Sequence, residues 1–248
     1  MNALVKVENL TKTFGKITAL KGINFQAHKG EIFGLLGPNG AGKTTAIRVI
    51  ATVLTPTTGS AVVAGFDICN QPVEVRKNIG VLTTETGVYE RFTGRENLKY
   101  FGELFNIPRD QLTNRLNELI ELFKMNEFID RRAGEYSTGM KQKLAIARSI
   151  IHDPQIIIFD EPTAGLDVLA SQTVLNFMRQ ARELGKCVIL STHRLSDAER
   201  LCDRAAIIHQ GKIVGVDEIS RLMEISGTNN LEDAFLQLIK NRPLDEET

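Results

Sequence analysis

Gly37-Pro38-Asn39-Gly40-Ala41-Gly42-Lys43-Thr44 is the stretch on which the fold turns. It matches G-x-x-x-x-G-K-[ST] at every constrained position, and its flanks fit. Upstream, Glu31-Ile32-Phe33-Gly34-Leu35-Leu36 is an apolar run long enough for a buried strand and too short for a helix. Downstream, Lys43 to Leu54 carries helical patterning and stops at Thr55-Pro56-Thr57-Thr58-Gly59. Strand, glycine loop and helix in that order form a phosphate cradle. Glycines let the backbone curl so that successive N–H groups face inward. The helix adds the positive end of its dipole. Lys43 is placed to reach the β- and γ-phosphates, and the Thr44 hydroxyl to ligate Mg²⁺.

A second segment supplies the acids. Ile156-Ile157-Ile158-Phe159 is a buried-strand run ending in Asp160-Glu161-Pro162. Open α/β sheets bind ligands at the C-terminal ends of their strands. Asp160 is therefore placed for the Mg²⁺ coordination sphere, and Glu161 to polarise an attacking water. A third strand-like run, Cys187-Val188-Ile189-Leu190, leads through Ser191-Thr192 to His193. A lone histidine is most often a surface or core residue. Ending a strand beside the nucleotide strand, His193 can also aim its imidazole at a γ-phosphate.

The rest of the chain reads as an α/β body. Val5, Val7, Leu10, Ala19-Leu20 and Ile23-Asn24-Phe25 mark strands around a turn at Gly15-Lys16. Between about Val88 and Ile151 strand-like runs vanish and amphipathic helices take over, one through Leu112, Leu116, Leu119, Ile120 and Phe123, another through Leu144, Ala147, Ile150 and Ile151. Strands and helices then alternate, which indicates a parallel sheet covered on both faces. Gln210-Gly211 turns a hairpin. The tail carries an apolar stripe of Leu231, Ala234, Phe235, Leu238 and Ile239 capped by Asn230. That stripe fits packing on the chain's own body, with contact to a second protomer as the alternative.

The 248 residues carry 30 Lys plus Arg against 30 Asp plus Glu, a formal charge of zero, which argues against a nucleic-acid partner held by phosphate neutralisation. Three scattered cysteines, Cys69, Cys187 and Cys202, form no metal or disulfide framework. No signal peptide is visible at the start. Val49 to Phe66 has no charge, but Pro56, Gly59 and its hydroxyl residues interrupt the run of about 20 apolar residues a bilayer helix needs. The chain is not expected to cross a membrane by itself, and its cysteine usage suggests a reducing compartment.

Tyr136-Ser137-Thr138-Gly139-Met140-Lys141-Gln142-Lys143 opens a helix shortly before Asp160. It resembles the LSGGQ signature of ABC-type ATPases. Together with 37–44, Asp160-Glu161, Ala164-Gly165-Leu166-Asp167 and His193, its order and spacing look like an ABC nucleotide-binding domain across nearly the whole chain. The resemblance implies one α/β ABC ATPase domain, residues 1–248. Its core is 1–87 and 152–226, with an N-terminal antiparallel β subdomain. A helical signature subdomain is inserted at 88–151, and the tail is 227–248. It also implies ATP with Mg²⁺, held by Gly37, Pro38, Asn39, Gly40, Ala41, Gly42, Lys43, Thr44 and Thr45, with Phe14 stacking on adenine. Ser137 and Gly139 would meet the γ-phosphate on the other protomer, and Asp167 would link the two sites. Glu161 is similar to the family's catalytic base and His193 to its switch histidine.

Two departures stand out. The signature reads YSTGM, with Thr138 and Met140 replacing glycine and glutamine. The family's Q-loop glutamine falls at Thr84, so Glu85 is the candidate to take over its contact with Mg²⁺. The YSTGMKQKL form and the tail Asn230 to Leu238 resemble ATPase subunits of ABC-2-type exporters, the sodium-efflux (NatA-type) group above all. That implies a homodimer or a pair with a paralogue, and separate membrane permease subunits docking on a groove bordered by Glu85 to Phe105. Drug or lipid-linked glycan export is the neighbouring alternative. A ribosome- or chromosome-acting ABC ATPase usually carries a second domain or a long coiled coil, and neither is seen. A plain P-loop kinase or GTPase leaves residues 136–143 without a reason.

Overall fold

The computed structural model describes residues 3–83 and 87–240. Alternating buried and exposed positions make β1 (Ala3–Phe14) and β2 (Ile17–His28) a two-sided antiparallel hairpin, turned at Gly15 with φ 56°. With β4 (Thr58–Val63) and β5 (Phe66–Asp67) they form a four-stranded sheet in the order β2-β1-β4-β5. A six-stranded sheet lies beneath it. Its strands are β3 (Ile32–Leu36), β6 (Ile79–Leu82), β7 (Ile156–Asp160), β8 (Cys187–Thr192), β9 (Arg204–His209) and β10 (Lys212–Glu218), in the order β10-β9-β3-β8-β7-β6. All neighbours pair in parallel except β9 with β10, which are antiparallel. The β9–β10 turn places both Gln210 and Gly211 at positive φ, as a two-residue hairpin of the primed type requires. Every residue of β3, β7 and β8 is buried, which is why these strands read as unbroken apolar runs.

The two faces of this sheet carry separate cores. On one, Phe33 stacks on Phe25 of β2 at 5.2 Å, and Ile47 and Ile50 of α1 (Lys43–Ile50) fill the gap between sheets. On the other, Phe159 meets Phe177 of α6 (Val168–Glu183), which meets Phe123 at 5.4 Å. Phe123 closes α4 (Arg109–Leu122), which with α3 (Gly94–Leu104) and α5 (Thr138–Ser149) makes the helical layer expected from the sequence. The short α2 (Pro72–Asn78) leads into β6, a strand the sequence reading did not identify.

One expected boundary is corrected. The first helix ends at Ile50, not Leu54. Thr52 turns to φ 60°, and the N–H groups of Val53 and Leu54 both donate back to the Arg48 carbonyl, at 2.8 and 3.0 Å. The chain must reverse there to feed β4, and that tertiary demand overrides helical patterning. Among the described residues no helix is long and apolar enough to cross a membrane. After α7 (Leu195–Leu201) and α8 (Ile219–Ser226), α9 (Leu231–Lys240) lays its stripe on the body. Leu231 and Ala234 are fully buried, Glu199 accepts from the Leu231 N–H at 2.9 Å, and Asn230 caps through the Asp233 N–H at 2.8 Å.

His152 follows α5 and stacks on Phe105 with ring centres 3.8 Å apart. Its Nε2–H donates to the Ile79 carbonyl at 3.0 Å, leaving Nδ1 buried without a partner. Burial, helped by the nearby Arg115 and Lys186, lowers its pKa from 6.5 to about 4, against the Ile79 bond and Asp153. The unfolded chain therefore takes up this proton first as pH falls. Stability from neutral His152 is complete above about pH 6.5 and is lost on acidification towards pH 4, by on the order of 2–3 kcal/mol. Urea unfolding of wild type and His152→Gln at pH 7 and pH 4.5 should show the smaller loss in the variant. Parallel losses would remove His152 as the cause.

Candidate functional site

The glycine loop leaves β3 and enters α1 at Gly42, whose φ of 113° is a conformation side chains rarely adopt. A Cβ at Gly42 would sit 2.8 Å from the Ala19 carbonyl oxygen, and one at Gly37 would sit 2.2 Å from that of Ile208. Only glycine lets the loop press this closely on β2 and β9. α1 has no capping side chain and no acidic residue in its first turn, so its N-terminal amides and dipole stay available to an anion. Lys43 is 6% exposed. Its ammonium donates to the carbonyls of Gly37 at 2.7 Å and Pro38 at 3.1 Å. Burial lowers its pKa, and the negative charges of Glu161 and Asp160 oppose that shift. The cradle is a pocket of about 260 Å³ lined by Ala19, Asn39 to Thr45, Asp160 and Glu161.

Asp160 closes β7 with 2% exposure. Thr44 Oγ1 donates to its Oδ2 at 2.7 Å, and Ser191 Oγ to its Oδ1 at 2.7 Å. A buried carboxylate bonded to a hydroxyl beside the phosphate loop is an all-oxygen donor set of the hard kind that suits Mg²⁺. Among the described residues no group of three or more His, Cys, Asp or Glu could hold a metal by itself. That fits an ion bound through one or two protein oxygens and completed by phosphate.

Glu161 sits at φ 52°, a left-handed strain for a residue with a Cβ. Its N–H donates to the Ser191 carbonyl at 2.9 Å. Its carboxylate accepts from Thr192 Oγ1 at 3.3 Å, the His193 N–H at 2.9 Å and His193 Nδ1 at 2.8 Å. A carboxylate only accepts, so Nδ1 carries the proton and Nε2 is the free nitrogen. The His193 side chain is 53% exposed. The end of β8 thus grips both acids. Ser191 and Thr192 were missed in the sequence, where the only hint was their place between an apolar strand and His193.

Ser137, Gly139 and Asp167 lie elsewhere. Ser137 N-caps α5, accepting from the Met140 N–H at 3.3 Å, and Asp167 N-caps α6, accepting from the Ala170 N–H at 2.7 Å. They line a groove of about 520 Å³ with Met140, Lys143 and Leu169. Among the described residues none lines both this groove and the phosphate pocket. Gln142 connects the two regions from behind, its amide donating to the Pro162 carbonyl at 2.9 Å. Phe14 lines neither cavity. It is half-exposed at the β1–β2 hairpin, with Lys12 Nζ 5.1 Å from its ring centre. Thr84 and Glu85 fall outside the described residues.

The ABC transporter family profile matches residues 20–164. The ABC transporter ATP-binding protein NatA of Bacillus subtilis is 42% identical over 221 residues, 89% of this chain and 90% of that one. The doxorubicin resistance ATP-binding protein DrrA of Mycobacterium tuberculosis is 35% identical, covering 95% of this chain and 70% of that one. Among solved structures, an ATP-binding subunit of an ABC transporter superposes with a TM-score of 0.88 at 29% identity, over 95% of this chain and 99% of that one. A dimeric ATP-binding cassette in a post-hydrolysis state, bound to ADP and Pi, superposes with a TM-score of 0.78 at 25% identity, over 86% and 98%.

Proposed function

The chain belongs to the ABC transporter ATP-binding family, and from that premise we propose that it drives an exporter by closing head to tail, with a second copy or a paralogue, on two ATP molecules. Membership makes it an ATP-binding subunit with ATPase activity. The observation carrying the rest is the separation of the two cavities. One chain holds a phosphate pocket and, on other residues, a groove at a helix N-terminus. Each is half of a site, and a second chain supplies the missing half.

On this reading Gly37 to Thr45 hold the phosphates of one ATP, and Ser137 and Gly139 of the other chain cover its γ-phosphate with the Ser137 hydroxyl and helix-terminal N–H groups. Asp167 links the two sites, and Phe14 stacks on adenine. Glu161 takes the proton of the attacking water, and His193 orients its carboxylate. Thr44 and Asp160 would hold Mg²⁺, with Glu85 a further ligand candidate; when bound, the ion neutralises charge on the phosphates. Residues 1–248 act as one ATPase domain, with 88–151 as the signature layer. Separate membrane permease subunits place the chain at the inner face of the membrane and convert closure into transport. Sodium is the proposed solute, on the resemblance of Tyr136 to Leu144 and of the tail. Drug export is the second reading, favoured by relatives named for doxorubicin and linearmycin resistance.

The composite site has a kinetic signature. Specific ATPase activity should rise with chain concentration between nanomolar and tens of micromolar, because only dimers hydrolyse. A flat specific activity across that range would exclude the shared site. In vesicles carrying the cognate permease, ATP-dependent movement of ²²Na⁺ but not doxorubicin decides for sodium, and the reverse decides for drug export.

A further inference from the structure

Arg148 stands in the last turn of α5, the helix that begins beside Ser137. Its guanidinium lies 4.5 Å from the centre of the Phe101 ring on α3 and donates to the Gly87 carbonyl. Among the described residues no carboxylate pairs with it. Burial lowers its pKa, so the charge is held partly out of water without the usual partner. Its contacts are of another kind. A carbonyl and a ring face neutralise nothing, but a planar cation fixes both in direction.

The two groups it fixes lie at a junction. Gly87 belongs to the segment between β6, which pairs with the Asp160 strand, and the helical layer. Phe101 stacks on Tyr89 at 5.9 Å, and Tyr100 meets both edge-on at 5.5 and 5.4 Å. Tyr89 and Tyr100 are 48% and 43% exposed. α5 is a continuous rod of 12 residues, about 18 Å long at the usual rise. Arg148 and Ser137 sit at its two ends, so tilting one end moves the other.

We propose that Arg148 is a positioning residue for ATP hydrolysis: by tying Gly87 and the aromatic face of α3 to the end of α5, it holds Ser137 where the second chain's nucleotide needs it. This rests on the reading that Ser137 acts across the dimer. Without the tie, α5 rocks on its core contacts and Ser137 is misplaced in the closed state, while the phosphate pocket, built on β3 and α1, is untouched.

The test compares Arg148→Met, Phe101→Leu, the double variant and Ser137→Ala in the full chain. Met keeps the bulk and removes the cation. Arg148→Met should keep wild-type melting temperature and wild-type MgATP affinity by calorimetry, yet lose about tenfold or more in kcat, since misplacement of around an ångström has effects of that order. The Phe101→Leu loss should not add to it, because both remove one tie. Arg148→Lys should recover part of the turnover. If Arg148→Met does not fold, Arg148→Lys is judged by the same criteria. Wild-type kcat in Arg148→Met, additive losses, or a kcat loss matched by falls in melting temperature and ATP affinity would each overturn the positioning role. Ser137→Ala separates the layers. Wild-type turnover there removes the composite-site reading itself, whereas a slow Ser137→Ala beside an inert Arg148→Met overturns only the proposal for Arg148.

Discussion

Lys43→Ala is expected to lose MgATP binding by two to three orders of magnitude while keeping its fold. The ammonium is almost wholly buried in the glycine loop, within 3.1 Å of two loop carbonyls and beside Asp160 and Glu161. Triphosphate brings several negative charges into that pocket. At an effective dielectric constant of about 20, one charge pair at 4 Å contributes on the order of 4 kcal/mol, or about three powers of ten in Kd. Alanine removes that attraction and leaves the two carboxylates to repel the phosphates unopposed. The fold should survive, because Phe33, Ile47 and Ile50 hold β3 and α1 independently of the ammonium. Calorimetry with Mg²⁺ and ATP, beside circular dichroism melting, measures both halves of the expectation. Affinity within twofold of wild type would mean that this loop is not the phosphate site.

Glu161→Gln should bind ATP normally and hydrolyse it about 10²- to 10⁴-fold more slowly, the usual contribution of a positioned general base. The side chain keeps its length, and its remaining oxygen can still accept from the His193 N–H and from Nδ1. What disappears is the ability to take a proton from water. The strained backbone at φ 52° is shared by both residues, so the fold should not change. With hydrolysis blocked, the ATP-closed dimer should accumulate, and gel filtration with MgATP should shift the chain to twice its monomer mass. Wild-type turnover in this variant would assign the base elsewhere, with His193 as the next group to test. A slow variant that remains monomeric at high concentration, with the permease subunits present as well as absent, would argue against the shared site.

Much of the framework was legible from local chemistry. Gly37 to Thr44 announced a phosphate cradle because the backbone angles it needs exclude most residues, and Gly42 at φ 113° shows that demand. Ile156 to Phe159 and Cys187 to Leu190 read as strands buried on both faces, which they are. Asn230 was legible as a cap, because caps satisfy amides only a few residues away. Such information is complete within one turn or one strand.

Other features depended on partners far along the chain. Ser191 meets Asp160 across 31 residues, and no local pattern marks that pair; Thr44 and Asp160, 116 residues apart, were expected to share an ion, and only the fold shows the direct bond between them. The grip of Ser191, Thr192 and His193 on the two acids follows from β7 and β8 lying side by side, which strand order decides. The end of the first helix moved from Leu54 to Ile50 because β4 had to be reached. Arg148 shows the same limit: an arginine without a motif reaches a loop carbonyl and a ring from the end of a helix. Sequence by itself determined the buried central strands, the helical layer and the phosphate loop, since backbone hydrogen bonding and side-chain periodicity are short-range. Only the tertiary structure decided which side chains meet and that the two cavities stand apart, because those depend on how the layers pack.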